Sequence, residues 1–178
     1  MMKKLAHWLV RRSEKQTGED STFMHEIADS SLNAFMKFGF FVPMSGHRKV
    51  VSAEAWHCAR VAAAMNQDCG PCTQTTVNMA ISDGASPELL RGALNGGEGL
   101  TGDVLLAYQY GKAVAENGPE LLDLLEAAEV RFGKEGLVEL AFCVAGAAVY
   151  PTVKRALGHG LACSQVVIEP EGNFDQAA

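Results

Sequence analysis

The chain predicts an all-α fold, a helical bundle of about six to eight helices, on three observations. Helix start and stop residues recur at short intervals. The apolar residues between them fall at helical spacing, and there is no alternating run of β-branched residues bounded by turns. At 178 residues the chain can bury one sizeable core, and its length alone gives no reason for a second. A single domain over 1–178 is therefore expected, with 1–50 as an N-terminal helical extension and loop and 160–178 as a tail with a loose end.

The elements follow in order. Asp20-Ser21 opens a run in which Phe23, Met24, Ile27, Ala28 and Leu32 form a helical stripe. The stretch from Gly39 to Gly46 interrupts it, with Pro43 and Gly46 marking a loop. Ser52 caps an alanine-rich helix that runs to about Gln67. Asp68 is expected to cap the core helix after it, which carries Cys69-Gly70-Pro71-Cys72 at its start and closes at Gly84. Ser86-Pro87-Glu88 is another start signal: serine caps, proline takes a position where its missing N–H costs nothing, and glutamate suits the positive end. Gly96-Gly97 ends that short helix. Thr101 caps a helix over Asp103 to Asn117, Gly118 ends it, and Pro119 starts another. A last helix is expected from about Gly136 to Leu157, kinked or broken at Pro151. Beyond it, Val166-Val167-Ile168 is the only β-branched cluster.

Charge and composition narrow the function classes. A net charge of −6 with pI near 5.3 does not suit a phosphate-binding face, so no nucleic-acid partner is expected. The basic cluster from Met1 to Arg12 has an apolar run interrupted by His7 and too short for a signal-peptide core. No apolar stretch reaches the roughly 20 residues that span a bilayer. The nearest, Leu137 to Val153, carries Glu139 and Pro151 and reads as a buried helix. A cytoplasmic location without a membrane partner is the resulting expectation. Five cysteines suit no secreted disulfide framework, and Cys58, Cys143 and Cys163 read as small buried apolar residues. In a reducing compartment a CxxC is a working dithiol rather than a permanent staple.

On a helix, Cys69, Cys72, Thr73, Thr76 and Ala80 share one face, so both sulfurs point the same way and can close a disulfide with little backbone movement. The start of a helix, where Cys69 is expected, favours an anion, which lowers a thiol pKa, and thiolate is the form that attacks peroxides and disulfides; this favours Cys69 as the attacking residue, whereas a base deeper between the helices favours Cys72. Glu54 and His57 lie three apart on the preceding helix and are candidate proton carriers, His57 as base and Glu54 orienting it. An antiparallel pairing brings His57 level with Thr76 to Asn78. A second arrangement is a zinc site from Cys69, Cys72, Cys58 and His57, although only one of the two usual knuckles is present.

Cys-Gly-Pro-Cys is identical to the thioredoxin redox motif, but a thioredoxin dithiol follows a buried strand. Here alanine-rich helix precedes it. The run from Glu54 to Gly97 instead resembles the carboxymuconolactone decarboxylase-like superfamily, and within it the AhpD-like alkylhydroperoxidases. The resemblance consists of Arg60-Val61-Ala62, then Asn66-Gln67-Asp68-Cys69-Gly70-Pro71-Cys72, an amphipathic helix ending at Gly84, and the helix start Ala85 to Arg91. More loosely, Leu140-Ala141 to Leu157-Gly158 is similar to the family's last core helix.

That resemblance implies an all-helical homo-oligomer, a trimer or a multiple of it. It implies reduction of hydroperoxides or disulfides by Cys69 and Cys72, with no bound cofactor and an external dithiol reductant. The family has an acidic residue twelve positions before the first cysteine and a histidine four after the second, and this chain has His57 and Thr76 there. The family's proton relay is thus either rebuilt with His57 and Glu54 or absent. The remaining alternatives are a lactone-directed decarboxylase in which His57 is the acid–base group, and a non-catalytic helical protein whose dithiol senses redox state or binds zinc.

Overall fold

The computed structural model describes residues 2–159 and 166–168, and these residues contain nine helices. They are α1 (Met2–Thr17), α2 (Thr22–Ser30), α3 (Leu32–Phe38), α4 (Phe41–Ser45), α5 (Ala53–Met65), α6 (Gly70–Ser82), α7 (Pro87–Leu94), α8 (Gly102–Glu116) and α9 (Leu121–Ala156). The architecture is an all-α bundle with a cysteine pair where α6 begins. Cys163 and most of the 160–178 tail lie outside the described residues.

The bundle is organised around α5, whose side chains from Ala55 to Ala64 are all buried. Alanine at five of those ten positions lets neighbouring backbones come close, and α5 packs most extensively on α8, then on α9 and α6. Gly111 of α8 marks the tightest approach. A Cβ there would lie 2.5 Å from the Ala59 carbonyl oxygen, a contact that only backbone movement could relieve. Gly111→Ala is therefore expected to destabilise the fold by about 2 kcal/mol despite its gain in helix propensity, read as a lower midpoint in urea.

Two apolar clusters flank α5. One joins α5, α8 and α9 through Val51, Trp56, Tyr110, Phe132, Leu140 and Cys143. The other joins α5 to α6, α7 and α8 through Val61, Val77, Leu90, Leu100 and Tyr108. Helices α1 to α3 bury a smaller set of their own, Ala6, Val10, Ala28 and Phe35.

Several boundaries differ from the sequence expectation, for local physical reasons. The segment read as a loop at Gly39–Gly46 contains the one-turn helix α4, because Pro43 falls in its first turn, where no helical N–H bond is lost. The stripe begun at Ser21 is divided at Ser31, whose hydroxyl accepts the Ala34 N–H and starts α3. Asp68 does not cap the dithiol helix. It has a left-handed backbone (φ 49°), and Cys69 takes the capping position. The two helices expected on either side of residue 135 run together as α9. They turn at Gly133 (φ 70°, ψ 177°), a conformation essentially reserved for glycine, and the helix continues through Pro151.

By length and composition α9 could cross a membrane. Its second half, however, carries the fully buried Glu139 and packs on α5 and α8 as a core helix does. The Glu139 carboxylate accepts backbone N–H bonds from Lys49 (2.8 Å), Val50 (2.9 Å) and Val51 (3.0 Å). Those residues lead directly into Ser52, whose hydroxyl accepts the Ala55 N–H at 3.3 Å and starts α5. Glu139 thus sets where α5 begins.

Candidate active site

Cys69 and Cys72 are joined as a disulfide, with their Cα atoms 5.3 Å apart. Cys69 is the residue before the first turn of α6, and Pro71 lies within that turn at no cost in hydrogen bonds. Cys72 is third in the helix, among backbone N–H groups that have no helical partner. The two sulfur-bearing residues open on different faces. Cys72 is half-buried and lines a cavity of about 800 Å³ between the α1–α2 connection, α4, α5, α6 and α9. Cys69, only 8 % exposed, faces a shallower groove with Arg91, Val166 and Ile168. Gln74 of α6 holds that last segment: its amide donates to the Val167 carbonyl at 2.9 Å and accepts the Val167 N–H at 2.6 Å.

His57 and Thr76 also line the cavity, and both are buried. Thr76 donates its hydroxyl hydrogen bond to the Cys72 carbonyl at 3.0 Å. The His57 Nε2 is 3.0 Å from Asp83 Oδ2, just past the end of α6. A carboxylate only accepts, so Nε2 carries the proton and the buried Nδ1 keeps its lone pair, with no partner among the described residues. Burial pushes the His57 pKa down and Asp83 only partly offsets it, so the ring is neutral at pH 7. Asp83 lies 11 positions after Cys72, roughly 16 Å along the helix axis at about 1.5 Å per residue. His57 and the dithiol therefore occupy opposite ends of one cavity and are not in direct contact.

Glu54 is exposed and does not line this cavity, so the place given to it beside His57 is taken by Asp83. The helix repeat explains why: residues three apart share a face, but Glu54 lies in the first turn of α5, where that face has reached solvent. The zinc donors do not assemble either. Cys69 and Cys72 are bonded to each other, the Cys58 thiol points to the Leu89 carbonyl, and His57 is on Asp83. Among the described residues no group of three or more His, Cys, Asp or Glu side chains gathers as a metal site. Burial pushes the Cys58 and Cys143 thiols up to about 12, so neither supplies a thiolate at neutral pH.

Sequence reasoning missed Asp83, Arg60 and Trp56. Asp83 stands next to Gly84 and reads as helix punctuation. Arg60 carried a usable signal, being the only charged residue between Ala55 and Met65. It is 6 % exposed, faces the cavity, and places its guanidinium carbon 5.3 Å from the centre of the Trp56 ring. What these groups establish together is an all-helical protein with a redox-capable cysteine pair, one member of which opens on a cavity. No protein-family model, curated protein or solved structure matches the chain.

Proposed function

We propose that the protein is an AhpD-like thiol oxidoreductase that reduces hydroperoxides by cycling Cys69 and Cys72 between dithiol and disulfide. The supporting observation is that Cys72, at the positive end of α6, shares a cavity with a neutral, carboxylate-oriented histidine. The Cys72 thiolate attacks the outer peroxide oxygen, giving a sulfenic acid and the alcohol. The Cys69 thiol then displaces hydroxide from that sulfur, which leaves as water and closes the disulfide. An external dithiol returns two electrons and two protons. His57 is the base for the Cys72 proton; its Nδ1 has no exposed surface and the span is too long for direct transfer, so the proton passes through water admitted by a shift of the ring. Apolar side chains exposed on α9, among them Leu122, Val130, Val138 and Phe142, suit a homo-oligomer, a trimer or a multiple of it. A cytoplasmic setting supplies the reductant.

Titration of free thiols tests the chemistry. After prior reduction, stoichiometric hydrogen peroxide is expected to remove two thiols per chain and leave Cys58 and Cys143 reactive only after unfolding. An unchanged thiol count would overturn the reading.

The proton relay has its own signature. The rate of dithiol oxidation should decline towards acid through a group titrating below the ordinary histidine value near 6.5. Asp83→Asn should move that limb to still lower pH, because the carboxylate is what raises proton affinity on His57. His57→Gln should abolish it with a rate loss of roughly 10²-fold. Identical pH–rate profiles for wild type and His57→Gln would remove His57 from the mechanism.

A further inference from the structure

Arg60 is buried without a counter-charge. Among the described residues it makes no ion pair, its Nε has no hydrogen-bond partner, and the same holds for the buried Trp56 Nε1 and His57 Nδ1. All three side chains come from consecutive turns of α5 and line the cavity that holds Cys72. The acidic groups on that cavity are otherwise engaged: Asp83 holds His57, Asp20 accepts from the Thr22 hydroxyl, and the charge of Lys154 acts on both Glu19 and Asp20. A buried cation without a partner is costly, and a guanidinium presents a planar fork that matches one carboxylate. The remaining wall is mixed: Phe23, Val42, Ala147 and Pro151 supply apolar surface beside hydroxyl side chains and the more exposed cations Arg48 and Lys154, and the cavity volume is of the size that encloses a small organic molecule.

We propose that this cavity binds hydroperoxides carrying a carboxylate on an apolar body, such as fatty-acid hydroperoxides, with Arg60 taking the carboxylate and the Trp56 ring packed beside its guanidinium. The inference rests on the dithiol chemistry proposed above and names its substrate class. The peroxide is reduced to the hydroxy acid, Cys69 and Cys72 are oxidised to the disulfide, and water is the second product. Arg60 takes no part in electron transfer. It selects the substrate and orients its peroxide towards Cys72.

Binding and turnover test this separately. Calorimetric titration of the oxidised wild-type protein with decanoate needs no redox chemistry. Decanoate is expected to bind at least tenfold more tightly than methyl decanoate. With reduced protein, kcat/KM for linoleic acid hydroperoxide should exceed that for its methyl ester by tenfold or more. In Arg60→Gln both ratios should fall to about one. Should that variant not fold, the acid-to-ester ratios of the wild type decide the matter alone. Equal binding of acid and ester, with hydrogen peroxide still removing two thiols, overturns the carboxylate site and leaves the dithiol reading standing. Selective decanoate binding with no thiol oxidation by any peroxide overturns the redox reading and, with it, the substrate class assigned here.

Discussion

Replacing Cys72 with serine is expected to abolish peroxide reduction, with a loss of roughly 10³-fold or more, whereas Cys69→Ser should preserve the first attack and stop there. The asymmetry comes from the placement of the two residues about the start of α6. Cys72 lines the large cavity and sits in the first helical turn, where unpartnered N–H groups favour the thiolate. Cys69 precedes that turn, is nearly buried, and faces the groove covered by Val166 and Ile168. Stopped-flow oxidation followed by dimedone trapping separates the two roles. Cys69→Ser should accumulate a sulfenic acid on residue 72 in a single turnover, and Cys72→Ser should accumulate none. The reverse pattern would make Cys69 the attacking residue. Loss of trapping in both variants would argue against peroxide attack by either sulfur.

The largest expected effect on stability is at Glu139, far from the sulfurs. Its carboxylate is fully buried in α9 and satisfies three successive backbone N–H groups before α5. Glu139→Ala leaves those donors without an acceptor. An unsatisfied buried donor costs about 1–3 kcal/mol, and water can reach the donors of Lys49 and Val50 but not that of Val51. A loss of about 3 kcal/mol follows, lowering Tm by roughly 6–12 °C for a chain of this size.

The same contacts determine the acid response. Burial alone would raise the Glu139 pKa, but the three N–H donors outweigh it and hold the carboxyl below the ordinary glutamate value. A group with a lowered folded-state pKa contributes its full stability above its unfolded pKa and loses it as pH falls through the folded one. Wild type should therefore lose stability below roughly pH 4.3, and Glu139→Gln should be less stable at neutral pH with a shallower acid decline. Urea midpoints measured across pH 3–7 check both. Parallel curves for wild type and Glu139→Gln would show that the carboxylate carries no linked stability.

Much of the fold was legible because helix caps are local chemistry. Ser52 and Ser86 accept the N–H bonds that start α5 and α7, and each can be read from a few neighbouring residues. The closure of the dithiol was equally local, since a spacing of three is enough to bring Cys69 and Cys72 together, but the expected shared helical face is absent: Cys69 precedes α6 with an extended backbone and the two residues open on different faces. Where two local signals compete, sequence alone does not decide between them. Pro43 signals a break in sequence yet lies in a first turn, and Asp68 signals a cap yet has a left-handed backbone that hands that position to Cys69.

The sequence by itself determined the helical class, the order of the main helices and the pairing of the two sulfurs, because each depends on interactions within a few residues along one chain segment. Only the tertiary structure decided which side chains meet across segments. Asp83 reaches His57 from 26 residues away, Glu139 reaches Val51 from 88, and Arg60 is left without a counter-charge. Helical periodicity says that a residue lies on a buried face but not what stands opposite it. The partner is set by how α5, α6 and α9 cross, and that follows from close packing at small residues such as Gly111.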